Sequence, residues 1–491
     1  MKFKSTRSNI LVEPSEALVK GIADDGGLFV PMEFPEVDLE EILKMNYKQL
    51  AFYILKKYFT DFFDEELLHC INNAYDDKFD SPLIAPLVEK GKVSFLELFH
   101  GRTLAFKDMA LSIFPHLLKV ASEKTGVREE IVILTATSGD TGKAALEAFK
   151  DVKGVKIIVF YPKEGVSQVQ RLQMVTQEGK NTYVVAIEGN FDDAQRAVKE
   201  VFNDRGFNRV LKEKGYIFSS ANSINIGRLF PQIVYYFYAY ITLIRNGSIQ
   251  KGEGINAAVP TGNFGNILAA YYAKKMGLKI NRLICASNQN NVLYDFIKTG
   301  VYDVRRKFYT TVSPSMDILV SSNLERYLYD ICGNDEELVC RLMNELKSGK
   351  YELPEKYKDE LKLFYAGYAS DEDTKKEIRT VLNELDYLID PHTAVAYHVY
   401  KNYEEETRDD SRTVIVSTAS PYKFVKTVYE ALTNNNEEKD ELTLADNLGK
   451  FTGYEVPKAI RELKEKNIIH TRTCSRDGVY RAIEDILNLK G

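Results

Sequence analysis

The marks of several function classes are missing from this sequence. Only 5 of its 491 residues are cysteine, and Cys70, Cys285, Cys332, Cys340 and Cys474 form no C-x-x-C pair. So sparse and unpatterned a set argues against a disulfide framework and suits a reducing compartment. Positive charge is not in excess: the net charge is −6 and lysines and arginines are scattered. A nucleic-acid-binding face is therefore not expected. The 6 histidines show no H-E-x-x-H and no paired ligand spacing, so no metal site is expected; His392, within Asp390-Pro391-His392-Thr393, is the one that stands out. Long apolar runs are also missing. The longest, Phe230 to Ile244, is interrupted by Pro231 and Gln232, and reads as a buried helix too short to span a bilayer. The opening residues, Met1 to Arg7, are charged and run into polar sequence without an apolar signal core, so a cytoplasmic location is expected.

Two nucleotide-binding motifs fail on inspection. Gly252-Glu253-Gly254 begins a G-x-G-x-x-A match, but it precedes its strand instead of following it. Thr137-Ser138-Gly139-Asp140-Thr141-Gly142-Lys143 has Thr137 where a P-loop needs glycine, and Ala144 where it needs serine or threonine.

What is present is an ordinary globular composition, 44% hydrophobic and 28% charged, in a chain long enough for about two to four structural units. Residues 1–95 read as mainly helical, with Leu39, Ile42, Leu43, Leu50, Ile54 and Leu55 at helical spacing and a second block from Asp64 to Tyr75. Residues 96–435 form the expected core. Strands are predicted at Val93 to Leu98, Ile131 to Ala136, Val155 to Phe160, Tyr183 to Ile187, Ile217 to Ser219, Ala257 to Pro260, Leu283 to Ala286 and Thr413 to Val416, alternating with amphipathic helices. That alternation predicts an α/β fold with mostly parallel strands flanked by helices. Residues 300–390 read as a helical insertion, and 436–491 as a polar linker with a closing helix.

Three loops carry candidate chemistry. Gly262-Asn263-Phe264-Gly265-Asn266 joins a strand to a helix and suits either a bound phosphate or an ordinary tight turn. The hydroxyl-rich turn Thr137 to Gly142 can hold a carboxylate at a helix N-terminus, or act as a simple cap. Lys107, between a strand-like segment and an apolar helix, becomes a usable nucleophile if its amine is desolvated.

Phe106-Lys107-Asp108, Thr-Ser-Gly-Asp-Thr-Gly and Gly-Asn-Phe-Gly-Asn stand in the order expected of fold-type II pyridoxal 5′-phosphate (PLP) enzymes, the tryptophan synthase β-like group. Asp25-Gly26-Gly27-Leu28-Phe29-Val30-Pro31, Ser220 to Leu229, Ser313-Pro314-Ser315-Met316-Asp317-Ile318, Ser322 to Arg326 and Asp390 to Ala394 extend the likeness over nearly the whole chain. Together they resemble the threonine synthase family in its longer microbial form. The resemblance implies that Lys107 carries PLP as a Schiff base and shuttles protons. It implies that Gly262, Asn263, Phe264 and Gly265 hold the cofactor phosphate, and that the Thr418 hydroxyl faces the pyridine nitrogen. Ser138, Gly139, Asp140 and Thr141 would receive the substrate carboxylate. Asn222, Ser223, Asn225 and Arg228 would receive the phosphate of O-phospho-L-homoserine. The implied activity is a lyase making L-threonine in amino-acid biosynthesis, as a monomer or homodimer. The alternatives are a phospho-lyase that stops at 2-oxobutyrate, and a catalytically inactive scaffold.

Overall fold

The computed structural model describes residues 1–137, 139–163, 166–189, 191–435 and 440–489, the side chains of 191 and 192 excepted. Two sheets organise the chain. The larger has six strands, in the order Phe364–Tyr368, Ile280–Ser287, Ile255–Pro260, Thr413–Ser417, Val93–Glu97 and Leu87–Lys90; only the last pairs antiparallel. The smaller has five parallel strands, in the order Thr473–Cys474, Thr182–Ile187, Val155–Pro162, Glu130–Ala136 and Tyr216–Ser219. Strands such as Ile255–Pro260 are buried along their whole length, as expected where helices cover both faces of a parallel sheet. The strands predicted from the sequence are present within one to three residues at each end.

The apolar stretch from Phe230 becomes helix Pro231–Arg245, which starts with proline at its first position and is buried along most of its length. It packs between helices Tyr47–Lys56 and Gly265–Lys275. Among the described residues, no helix is long and apolar enough to cross a membrane.

Three regions differ from the sequence-based expectation. The N-terminal region contains an antiparallel sheet of Leu11–Val12, Phe3–Ser5 and Phe29–Pro31 beside its helices. These strands are too short to show a period. Within 300–390, Phe364–Tyr368 is an edge strand of the large sheet, and Val301–Asp303 pairs with Lys350–Glu352. The glycine inside Phe-Tyr-Ala-Gly-Tyr weakens the strand pattern there. The last fifty residues do more than close the chain. Glu441 accepts from the Val169 N–H at 2.8 Å, and strand Thr473–Cys474 adds to the small sheet.

Beyond Glu97 the chain turns through His100 toward Lys107. The His100 ring lies 2.5 Å from Asp80 Oδ1 and 2.8 Å from Glu97 Oε2. Burial opposes its charge, but the two carboxylates prevail and raise the imidazole to about 9. A folded-state value above the unfolded one, about 6.5, stabilises fully at low pH, and the gain is lost as pH rises through about 9. His100→Gln should therefore cost roughly 1–2 kcal/mol at pH 6, discounted because Asp80 is exposed, and little at pH 10. Thermal unfolding at the two pH values checks this; an equal cost at both would show that the charge is not the stabilising element.

Candidate active site

Every loop singled out in the sequence leaves the carboxyl end of a strand, where ligands bind in open parallel sheets. Lys107 precedes the short helix Asp108–Leu111 and is 8% exposed. Its segment is stitched antiparallel to the exit of strand Thr413–Ser417. The Phe106 N–H donates to the Thr418 carbonyl at 2.8 Å, Ala105 pairs with Ala419, and the Ser420 N–H donates to Leu104 at 3.0 Å. Lys107 and Thr418 are thus brought together, and Thr418 is buried. Asp108 fixes the turn by accepting from the Thr103 N–H at 2.8 Å and its hydroxyl at 2.6 Å. Burial pushes its carboxyl up to about 6.

Lys107 Nζ lies 3.4 Å from Asp140 Oδ2. Burial drives the Lys107 ammonium below its usual range; Asp140 resists, while Lys423 and Arg228 add to the fall. Asp140 is itself buried. Its Oδ1 accepts from Gln170 at 2.8 Å and faces Lys423 Nζ at 3.2 Å, and its Oδ2 accepts from the Ser315 hydroxyl at 2.9 Å. Burial alone would raise this carboxyl, but Lys423 and Lys107 hold it far below the ordinary carboxylate range.

An ionised Asp140 side chain repels a substrate carboxylate, so only its backbone N–H can take part in receiving one. In the same turn the Gly139 and Gly142 N–H groups donate to the Thr137 hydroxyl at 3.0 and 2.9 Å. The first-turn N–H groups of Asp140 and Thr141 have no protein acceptor among the described residues, so an anion can take them. Gly139 has φ +140°, and a side chain there would meet Gln170, so the backbone conformation requires glycine. Ser138 lies outside the described residues.

Two carbonyls of the 262–265 loop are taken up by side-chain donors. Ser321 Oγ donates to the Gly262 carbonyl at 2.7 Å, and Asn323 Nδ2 to the Asn263 carbonyl at 2.9 Å. The N–H groups of Gly262, Asn263, Phe264 and Gly265 donate to no protein group among the described residues. Phe264 enters helix Gly265–Lys275 in the left-handed region, at φ 59°, with its ring buried. Asn266 was quoted in the motif but given no role. Its Oδ1 accepts from Tyr235 at 2.7 Å and Tyr236 at 2.5 Å, which leaves buried Nδ2 without an acceptor.

The 222–228 segment divides into two kinds of residue. Asn222 is exposed and Ser223 half-buried, both free to face a ligand. Asn225 instead braces the fold: its Oδ1 accepts from the Gly227 N–H and its Nδ2 donates to the Leu18 carbonyl, each at 2.9 Å. Arg228 is 4% exposed; it donates to the Ala221 carbonyl at 2.9 Å, and its buried Nε has no partner. No carboxylate pairs with it among the described residues, and burial lowers it to about 10, so it stays cationic near neutral pH.

Asn323 and Arg326, within the Ser322 to Arg326 segment, hold these loops from outside. Asn323 also reaches the Ser223 carbonyl at 3.3 Å, and fully buried Arg326 bonds Asn323, the Ile224 carbonyl and, at 2.8 Å, the Phe29 carbonyl. This pair ties both anion loops to the N-terminal sheet.

Residues 2–75 match the family described as Threonine synthase N terminus, 86–419 that described as Pyridoxal-phosphate dependent enzyme, and 393–468 that described as Threonine synthase, C-terminal. The chain is 39% identical over 439 residues to a threonine synthase of Pseudomonas aeruginosa, covering 88% of this chain and 90% of that protein. It is 41% identical over 438 residues to human threonine synthase-like 1, covering 85% of this chain and 58% of that protein; the chain thus spans under two thirds of such relatives. The crystal structure of PLP-bound threonine synthase from Brucella melitensis superposes with a TM-score of 0.88 at 34% identity, covering 100% of this chain and 99% of that one.

The residues fit PLP. A desolvated lysine lies near a buried hydroxyl, and an unpaired row of N–H groups lies where a Cβ on Gly262 would stand 2.7 Å from the Ser315 carbonyl oxygen. Gly262→Ala should therefore shift the loop and weaken cofactor retention at least about tenfold, roughly 1.4 kcal/mol, with helix content unchanged. Visible absorbance per mole of protein after dialysis measures this; wild-type cofactor content in the variant would remove the loop from the cofactor site.

Proposed function

The chain belongs to the threonine synthase family of pyridoxal-phosphate-dependent enzymes, and from that membership we propose that it converts O-phospho-L-homoserine and water into L-threonine and orthophosphate. The observation that carries this reading is Arg228. A buried guanidinium with an orphaned Nε and no carboxylate costs free energy unless an anion completes it. It belongs to a different segment from the glycine loop, whose N–H groups suit the cofactor phosphate, and in this reading it serves a second anionic group.

In this reading Lys107 is the attachment point of PLP. Gly262, Asn263, Phe264 and Gly265 hold the cofactor phosphate through N–H groups, joined by Asn266 Nδ2. The Thr418 hydroxyl serves the pyridine nitrogen. The N–H groups of Asp140 and Thr141 take the substrate carboxylate, while Asn222, Ser223 and Arg228 take its phosphate. When bound, PLP supplies the electron sink that acidifies hydrogens along the substrate chain. Lys107, whose ammonium burial makes a stronger acid than usual, is available as the free amine that removes protons there and returns them. Arg228 offsets the charge on the leaving phosphate as the Cγ–O bond breaks, and water adds at Cβ. The reading implies a cytoplasmic enzyme of amino-acid biosynthesis with a small-molecule substrate, working as a monomer or homodimer.

Incubation with phosphohomoserine should yield threonine and phosphate in equal amounts; 2-oxobutyrate and ammonia instead would assign a phospho-lyase. Borohydride should fix PLP to Lys107 alone. Arg228→Ala should lower kcat/KM by about ten- to a hundred-fold, the worth of a charge-assisted contact, and leave the cofactor absorbance intact. Loss of cofactor with normal substrate affinity in that variant would mean that the two anion sites are reversed.

A further inference from the structure

A second buried lysine faces the site from the turn Pro421–Phe424, just beyond the strand that leads to Thr418. The Lys423 side chain is fully buried, and its ammonium has three partners: the Thr103 carbonyl at 2.7 Å, Asp140 Oδ1 at 3.2 Å and Gln173 Oε1 at 3.3 Å. Three acceptors satisfy its three N–H donors. None of the roles described above uses it. A desolvated ammonium is costly, and a methionine would fill the same space, so the charge itself needs a reason.

The geometry supplies one. Asp140 presents Oδ2 to Lys107 and Oδ1 to Lys423. A lone buried carboxylate 3.4 Å from Lys107 would hold a proton on that amine and disable it as a base. We propose that Lys423 is a positioning residue that acts on Lys107 through Asp140: its fixed positive charge balances the carboxylate, so that Lys107 can stand beside it as a free amine. This rests on the reading of Lys107 as the cofactor's attachment point. Other groups face the cluster. Asp108 comes from the Lys107 helix, Lys143 from helix Asp140–Phe149, Arg228 from the 226–229 turn, His392 from helix Pro391–Thr407, and Gln170 and Gln173 from helix Gln168–Val175. Among the described residues, only Lys107 and Lys423 form ion pairs with Asp140.

The test is the pH dependence of cofactor capture by the full-length chain, stripped of PLP and mixed with it again. Capture bonds the amine nitrogen to the aldehyde carbon and releases the aldehyde oxygen as water, so its rate follows the fraction of Lys107 that is unprotonated. Lys423→Met removes the cation. Gln173→Glu keeps Lys423 and nearly every packing atom but sets a carboxylate against its ammonium. Each should raise the pH midpoint of capture by about one unit, making capture about tenfold slower at any pH well below the wild-type midpoint. Lys423→Arg should restore the wild-type profile. A folded Lys423→Met chain with an unshifted profile would make Lys423 a structural tie and overturn the proposal. Should that variant not fold, an unshifted profile in Gln173→Glu overturns it equally. PLP captured on a lysine other than Lys107 would instead defeat the reading of the attachment point, a separate and distinguishable failure.

Discussion

The carboxylate of Asp140 is the constraint on which the site depends. A fully desolvated carboxylate survives only when its lone pairs are filled and its charge is matched. Here Gln170 and Ser315 donate to it and two lysines face it. Asp140 and Gln170 belong to helices around the small sheet. Lys107, Lys423 and Ser315 come from loops around the large one. The two units therefore meet at a polar centre, and a shift of either breaks bonds that water cannot replace. Ser315 carries the constraint further. Its N–H donates at 3.2 Å to His392 Nε2, whose Nδ1 is held by Asp390 at 2.8 Å, and its carbonyl oxygen bounds the space at Gly262. One serine thus sets the registration of the lysine, the helix N-terminus and the anion loop.

The second organising pair, Asn323 and Arg326, works on carbonyl groups alone. An anion loop needs its N–H groups turned inward, which leaves its carbonyls turned outward and in need of donors. Asn323 and Arg326 supply donors for the carbonyls of Asn263, Ser223, Ile224 and Phe29. This accounts for the N-terminal region's place in the fold. Its strand Phe29–Pro31 completes the partners of the arginine that holds both loops.

How much of this could be read in the sequence follows from what kind of signal each part leaves. Parallel strands such as Val155–Pro162 are continuous apolar runs bounded by turns, and their carboxyl ends locate the loops. Lys107, the glycine loop and the hydroxyl turn are local motifs and were legible. The three-residue strands near the N-terminus and the glycine-bearing strand Phe364–Tyr368 were not, because neither shows a period. Nor was the Asp140 cluster. Ser315 and Asp140 are 175 residues apart, and Lys423 and Gln173 are 250 apart, so no spacing rule joins them. The same limit explains why Asn225 and Arg228 were read alike. Only the fold shows that the asparagine is spent on Leu18 while the guanidinium is not.

In the proposed function the two anion positions differ in construction, and the difference suits what each would hold. The donors of the 262–265 loop are backbone dipoles that carry no net charge. Arg228 is a buried net charge with an idle Nε, so it is destabilised until an anion arrives. A resident cofactor calls for the first kind of site, since it must stay through every turnover without distorting the protein. A leaving phosphate calls for the second, because charge builds on its bridging oxygen as the bond breaks, and a fixed cation binds that state more tightly than the ground state. The same preference opposes release, since orthophosphate keeps that charge.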